Sequence, residues 1–520
     1  MLKRNITTLL FIILSSSFLF TQVKFDTNFE SGSLGSYKLV DSATIPVRFM
    51  DSLTILNYNI YSRFDPKNPV DTTLTPSARW YYFRMTGVKN KLIYLNINNS
   101  EAIRPFFSYD NVNFERFTAD ENSRKNRMIK LFERDTVYIC HYIPYTYSRI
   151  EAKVAEWSEN RDVKTSVIGY SHDSLAMPML RITDSQVKDK NKKIVWIHGR
   201  SHPSESPASW HLEALVNKIL ENNEYASDIR KHTIFYIVPF INPDGVYGGY
   251  SRSSSTGVNL EVNWDRPDSL TMPEVKVLKK TLDSVTSVKK IDLFLNMHSQ
   301  IANSITYWIH TAKSTNDSFF ASQLLLSNLT ANNNTFYSSA DQSFSDMAPR
   351  YAEGWMWNKF KDKTLAITFE TPYTYFRDNI KGEWVSTANL DKLAQNSLNA
   401  ISDWLELPLE NRQVIKSIKS YKSRDWKKVK SSKFVSFGDF YLVSGKSGAI
   451  IEFRTPKVSP GKYEVYKWNP GPAENITPDG TNNWEFNSEI TQQRSGKLTV
   501  KLEAKSEGEK FNAILLKKVE

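Results

Sequence analysis

The rhythm of apolar and polar positions changes twice along the chain, and the changes divide it. From residue 22 to about 150, apolar residues come in short β-forming runs broken by turn residues. The clearest are Trp80-Tyr-Tyr-Phe-Arg-Met, Leu92-Ile-Tyr-Leu-Asn-Ile and Thr136-Val-Tyr-Ile-Cys-His-Tyr-Ile. Short strands with frequent turns predict a β-sandwich over 22–150. From 151 to 408, buried-strand runs alternate with helical spacing. Ile194-Val-Trp-Ile, Thr233-Ile-Phe-Tyr-Ile-Val, Ile291-Asp-Leu-Phe-Leu-Asn-Met and Leu365-Ala-Ile-Thr-Phe-Glu read as strands, and 210–220 and 274–288 as helices. Strand and helix in turn predict an α/β sheet with helices on both faces. Residues 409–433 are rich in lysine and read as a basic linker. From 434 to 520 β-formers return, as in Phe440-Tyr-Leu-Val and Lys497-Leu-Thr-Val-Lys-Leu, and predict a second, C-terminal β-sandwich.

Length agrees with this division, since 520 residues exceed one core at roughly 100–200 residues per domain. The start stands apart. Lys3 and Arg4 precede the apolar run 9–14, followed by small and apolar residues to about Phe20. That is the shape of a secretory signal peptide, too short to span a bilayer, and 1–21 are assigned to it. The expectation is a secreted or periplasmic protein without a stable membrane anchor. The net charge of +11 and the Lys-rich 416–433 segment lack a recognition-helix pattern, an RNA-binding signature or a phosphate loop, so no nucleic-acid partner is expected. The single cysteine, Cys140, excludes a disulfide framework and a Cys-ligated zinc site, and it reads as a buried small hydrophobe.

Chemistry concentrates at strand ends. His202-Pro-Ser-Glu205 follows the strand ending at Ile197; an imidazole and a carboxylate in one turn can grip one metal ion. A catalytic zinc holds three protein ligands and keeps one position open. His298, at the end of 291–297, is the best third ligand. His198 also ends a strand but precedes the motif, which suits a supporting role. Glu370 ends the apolar run 365–369 and is the candidate general base.

The ordered set His-Pro-x-Glu, Asn242-Pro-Asp-Gly245, Arg252, Gly257-Val-x-Leu, His298-Ser and strand-end Glu370 resembles the zinc metallocarboxypeptidases of the carboxypeptidase A type. Within them it is most similar to the cytosolic carboxypeptidase-like branch, with Pro144-Tyr-Thr-Tyr-Ser148 closing a preceding β-sandwich. The resemblance implies a mixed-sheet metallocarboxypeptidase domain and one Zn2+ per chain on His202, Glu205 and His298. It also implies Glu370 as base, Arg252 as oxyanion stabiliser, and a structural turn at 242–245. One departure matters. The relatives' Gly-Val-Asp-Leu-Asn-Arg-x-Trp is Gly257-Val-Asn-Leu-Glu-Val-Asn-Trp264 here. Glu261, Val262 and Asn263 are therefore the expected substrate-binding wall, with the arginine that clamps a terminal carboxylate missing. Either Arg266, Arg350 or Arg377 replaces it, or the substrate is a modified or cross-linked peptide cut by an amidase or endopeptidase. A non-catalytic binding protein on the same fold is the third reading. The substrate is expected to be a peptide, with glycan or matrix contact a role open to the C-terminal domain.

Overall fold

The computed structural model describes residues 22–47, 50–69, 71–338, 341–376, 382–416, 424–431, 433–473 and 482–519. The expected signal peptide, Arg377 and the stretch 417–423 lie outside the described residues.

Eight strands make the central sheet, in the order Val163–Tyr170, Ala176–Ile182, Thr233–Val238, Lys193–Gly199, Leu293–Gln300, Leu365–Pro372, Thr306–His310 and Ser343–Ser345. The four inner strands are parallel, and both flanks join them antiparallel. Parallel strands are covered on both faces and so read as continuous apolar runs. Alternate residues feed two cores. Val195, Ile197, Phe235, Leu295 and Ile367 pack under the helices Ser206–Leu220, Asp317–Ala331 and Thr387–Trp404 through Leu215, Leu324 and Leu398. Ile194, Trp196, Ile234, Phe294 and Ala366 face the other way, against Val275, Leu278 and Leu282 of Pro273–Val288. The mixed α/β class with helices on both faces is what the alternation predicted.

Ahead of this domain lie a five-stranded and a four-stranded sheet. Their facing side chains, among them Ile60, Phe83, Leu95, Phe117 and Ile139, form a separate core. Cys140 is fully buried in the core it shares with the central domain, and burial pushes its thiol well up. The helix Tyr147–Ser158 begins inside the segment read as strands to 150. Thr146 caps it by accepting from the Arg149 amide, and Ile150 and Trp157 join the central core.

The basic stretch is not simply a linker. Arg412–Lys416 pairs with Ala513–Lys518, and Trp426–Lys430 pairs with Phe440–Ser444. Val414 and Trp426 point inward while the lysines of the second strand remain exposed. Lysines on an edge strand protect it from further pairing, so a charge run there does not signal a loop. The C-terminal strands enclose their own core around Ile451, Val465, Val500 and Ile514.

Candidate metal and catalytic site

Three of the inner strands deliver the chemistry at their carboxyl ends. Lys193–Gly199 leads into the loop holding His202 and Glu205. His298 and Glu370 are register partners on the next two strands. The loop turns sharply at Arg200, which takes a positive φ of 62°. Its buried guanidinium donates to the carbonyls of Tyr145 and Pro203 and to Ser209 Oγ, fixing the turn from both sides. Asn242 also holds the loop, donating to the Ser201 carbonyl while capping the helix Pro243–Tyr247. Gly245 is required there, since a Cβ would lie 2.3 Å from Pro203 Cγ. The 242–245 motif therefore sits where a structural turn was expected.

His202 Nδ1 lies 2.7 Å from Glu205 Oε1, and His298 Nδ1 lies 2.9 Å from Glu205 Oε2. The two Nδ1 atoms are 3.2 Å apart. All three side chains are buried and converge as one group of potential metal ligands. Burial opposes ionisation of Glu205, but His202 and His298 hold its carboxyl well below the ordinary range. Burial likewise opposes charging of His298, yet Glu205, Glu261 and Glu370 push it up to about 10. Converging imidazole nitrogens inside a ring of carboxylates form a well for a cation, and the donor set suits zinc. Nε2 of His298 and Oε2 of Glu370 are buried polar atoms without a hydrogen-bond partner, which fits a metal centre with a neighbouring base.

Glu370 Oε1 accepts from Trp308 Nε1 at 3.2 Å. Burial first, and the Glu205 charge second, raise the Glu370 carboxyl to about 7. Raised carboxyls of this kind are matched to proton transfer near neutral pH. His198 hydrogen-bonds Trp196 rather than any of the three ligands.

Arg252 and Glu261 meet at the rim. Arg252 Nη2 donates to Glu261 Oε2 at 2.8 Å, and that oxygen also lies 3.0 Å from His202 Nε2. Glu261 is thus turned onto a candidate ligand. A carboxylate behind a metal-bound imidazole fixes its orientation and raises its basicity. The Arg252 loop is shaped by the N-terminal region. Asp65 accepts from the amides of Ser251, Arg252 and Ser253 at 2.7, 2.7 and 3.0 Å. Gly257, at φ 87°, passes so close to Lys67 that a Cβ would lie 2.4 Å from its carbonyl oxygen.

These groups open onto a cleft of about 510 Å³ lined by His202, Glu205, Arg252, Glu261, Trp308 and Glu370, among others. Val262 and Asn263 do not line it, contrary to expectation. Val262 is 8% exposed, while Asn263 accepts from the Met272 amide and donates to the Leu270 carbonyl. The short 3-10 turn Leu260–Val262 alternates inward and outward residues, which sequence spacing did not reveal. Arg266 pairs with Asp71 and is not in the cleft; Arg350 is. Arg79, from the N-terminal region, also lines it, and sequence reasoning missed it. No local signal marks Arg79, because only the packing of the two regions brings it there.

A His–Glu–His site at the carboxyl edge of a mixed α/β sheet defines a class of single-metal proteins. Comparison makes the class specific: the profile of the zinc carboxypeptidase family matches residues 153–400, and this domain is a zinc carboxypeptidase domain. Zinc is the ion that family uses, and the three side chains fit it. Among curated proteins, the chain is 24% identical over 234 residues to an uncharacterised protein of Zymomonas mobilis, covering 43% of this chain and 59% of that one. It is 24% identical over 338 residues to cytosolic carboxypeptidase 1 of Homo sapiens, covering 55% of this chain and 26% of that protein. The chain thus spans less than two thirds of these relatives. A solved metallo-carboxypeptidase from Burkholderia cenocepacia shares the fold, with a TM-score of 0.59 at 20% identity over 74% of this chain and 99% of that one.

Proposed function

We propose that the protein is an exported zinc-dependent peptidase that hydrolyses a peptide bond at or near a chain's C-terminus. The observation that carries this reading is the convergence of His202, Glu205 and His298, with Glu370 the register partner of His298, beside one cleft. His202, Glu205 and His298 would hold the ion. When bound, zinc supplies Lewis acidity toward a carbonyl and acidity toward water. Glu370, with Oε2 unpartnered, takes the proton of the attacking water and gives it to the departing amine. Trp308 fixes the other oxygen and so aims the carboxylate. Arg252 lies at the rim, its side chain 44% exposed, where its remaining N–H groups can meet negative charge developing on the carbonyl oxygen. Glu261 steadies both Arg252 and His202.

A terminal carboxylate has two candidate cations in the cleft. Neither Arg79 nor Arg350 reaches a carboxylate within ion-pair distance among the described residues; Arg350 donates to the Tyr351 hydroxyl. Their presence favours a free C-terminus over the amidase or endopeptidase reading. Matched peptides with free and amidated ends test this. Preference for the free end supports the proposal, and preference for the amide supports an endopeptidase. Export rests on the basic start and apolar run within 1–21. N-terminal sequencing of the mature protein from a culture fraction tests it, and an intact Met1 would contradict it.

A further inference from the structure

Beyond His202, Glu205 and Glu370, the cleft runs on to a second group of polar side chains. Three strands and one helix build it. Thr368 lies two residues before Glu370 on the same strand face. Trp308 is its antiparallel partner, and His310 and Ser345 continue that face across the next pair. The helix Ala352–Phe360 closes the group with Glu353 in its first turn. All of these residues line the cleft.

Glu353 is 3% exposed, and its Oε1 accepts from Thr368 Oγ1 at 2.7 Å. No lysine or arginine among the described residues comes within ion-pair distance of it. The three arginines of the cleft are disposed elsewhere. Arg252 holds Glu261, Arg350 stacks over Tyr351, and Arg79 is placed by Tyr373. His310 does not supply the missing charge. It is 5% exposed, its Nε2 has no partner, and burial lowers its pKa although Glu353 and Asp346 pull the other way. Asp346, exposed at the mouth, adds a second carboxylate. The first-turn amides of the helix offset part of the cost of burying Glu353, but an anion facing a cavity without a counter-ion is a poor arrangement unless a cation arrives with the ligand.

We propose that this end of the cleft receives a positively charged side chain, so that the residue released is lysine- or arginine-like. The inference rests on the peptidase reading above and names its substrate class. An ammonium or guanidinium group reaches Glu353 and the rim carboxylate of Asp346, its aliphatic stem passing along Trp308. Thr368 fixes the Glu353 carboxylate, and His310 offers a neutral acceptor beside it.

The test uses the full-length zinc-loaded protein and peptides that differ only in the last residue: Lys, Arg, Leu or Glu. Lys and Arg are expected to exceed Leu by about tenfold or more in kcat/KM, with Glu last. In Glu353→Gln the Lys-to-Leu ratio should collapse by about tenfold or more, mainly through KM. A wild-type preference for Leu or Glu overturns the proposal, whether or not the variant folds. So does an unchanged ratio in a folded, zinc-bearing Glu353→Gln protein. A binding arm separates this proposal from the peptidase reading. Lysine and norleucine are titrated into zinc-loaded Glu370→Gln protein, with and without Glu353→Gln. Tighter binding of lysine that depends on Glu353 sustains the cationic pocket even if no peptide is cleaved, in which case the peptidase reading alone fails. Equal binding of the two amino acids overturns the pocket.

Discussion

Glu261 is the residue whose meaning the structure changes most. Its carboxylate replaces the family's amide side chain in the expected substrate-binding wall. Instead it lies half-buried between His202 and Arg252, and although desolvation opposes ionisation, His202 holds it well below the ordinary carboxylate range. Its effect should therefore appear in metal affinity. Glu261→Gln is expected to weaken zinc binding by about 10–100-fold, read by competition with a chelating dye. Unchanged affinity would return Glu261 to the substrate. Restoring the family's arginine at 262 should fail for a related reason. Val262 is buried, so Val262→Arg forces a guanidinium into packed surroundings, with a loss of about 1–3 kcal/mol in denaturant unfolding and no new carboxylate clamp. A stable Val262→Arg protein with improved turnover of free C-termini would contradict that placement.

At the scale of elements, the N-terminal region supplies Arg79 to the cleft and shapes the Arg252 loop. Asp65 gathers three consecutive amides around Arg252, and its carboxyl is raised because burial outweighs those bonds. Asp65→Ala leaves the three amides unsatisfied, at about 1–3 kcal/mol for a lost buried partner. It should also lower kcat/KM by up to about 10²-fold as Arg252 drifts, with zinc content unchanged. Normal kinetics in a destabilised protein would make Asp65 a brace only. These contacts mark the limit of what sequence carries. The inner strands were legible because both faces are apolar, and His298 and Glu370 because a polar residue ending such a run is conspicuous. The antiparallel flank at 306–310 went unread although Asn303-Ser304 and Ser314-Thr-Asn-Asp317 bound its short Thr-Tyr-Trp-Ile-His run, and with it went Trp308, His310 and their register with Thr368. Arg79 and Asp65 were invisible, because a lone charge in a β-rich region acquires meaning only once a second region packs on it. The lysines of 426–430 misled for the opposite reason, as an edge strand carries charge on its open face.

The whole molecule carries buried neutral histidines that couple its stability to pH. Burial lowers His211, 1% exposed, to about 3, and His141 is lowered likewise by burial with Arg79 and Arg116 adding to it. An unfolded histidine titrates near 6.5, so between about 6.5 and 3 the unfolded chain binds the extra proton. Stability from each is therefore complete above about 6.5 and falls as pH drops, by up to about 1.4 kcal/mol per pH unit. A folded His211→Gln protein should show a correspondingly shallower fall in unfolding free energy from pH 6.5 to 4.5, and an identical slope would contradict the burial argument. The C-terminal region joins the central domain through Arg412 to Asp403 and through the Trp484 amide to Asn332 Oδ1, which suits it to bracing. We propose that His202, Glu205 and His298 hold zinc while Glu370 moves the proton. The most direct test is zinc content and peptide turnover measured on one preparation of Glu370→Gln. The account predicts one zinc per chain with turnover reduced by about 10²–10⁴-fold. A zinc-replete Glu370→Gln protein that cleaves peptides at the wild-type rate would contradict it.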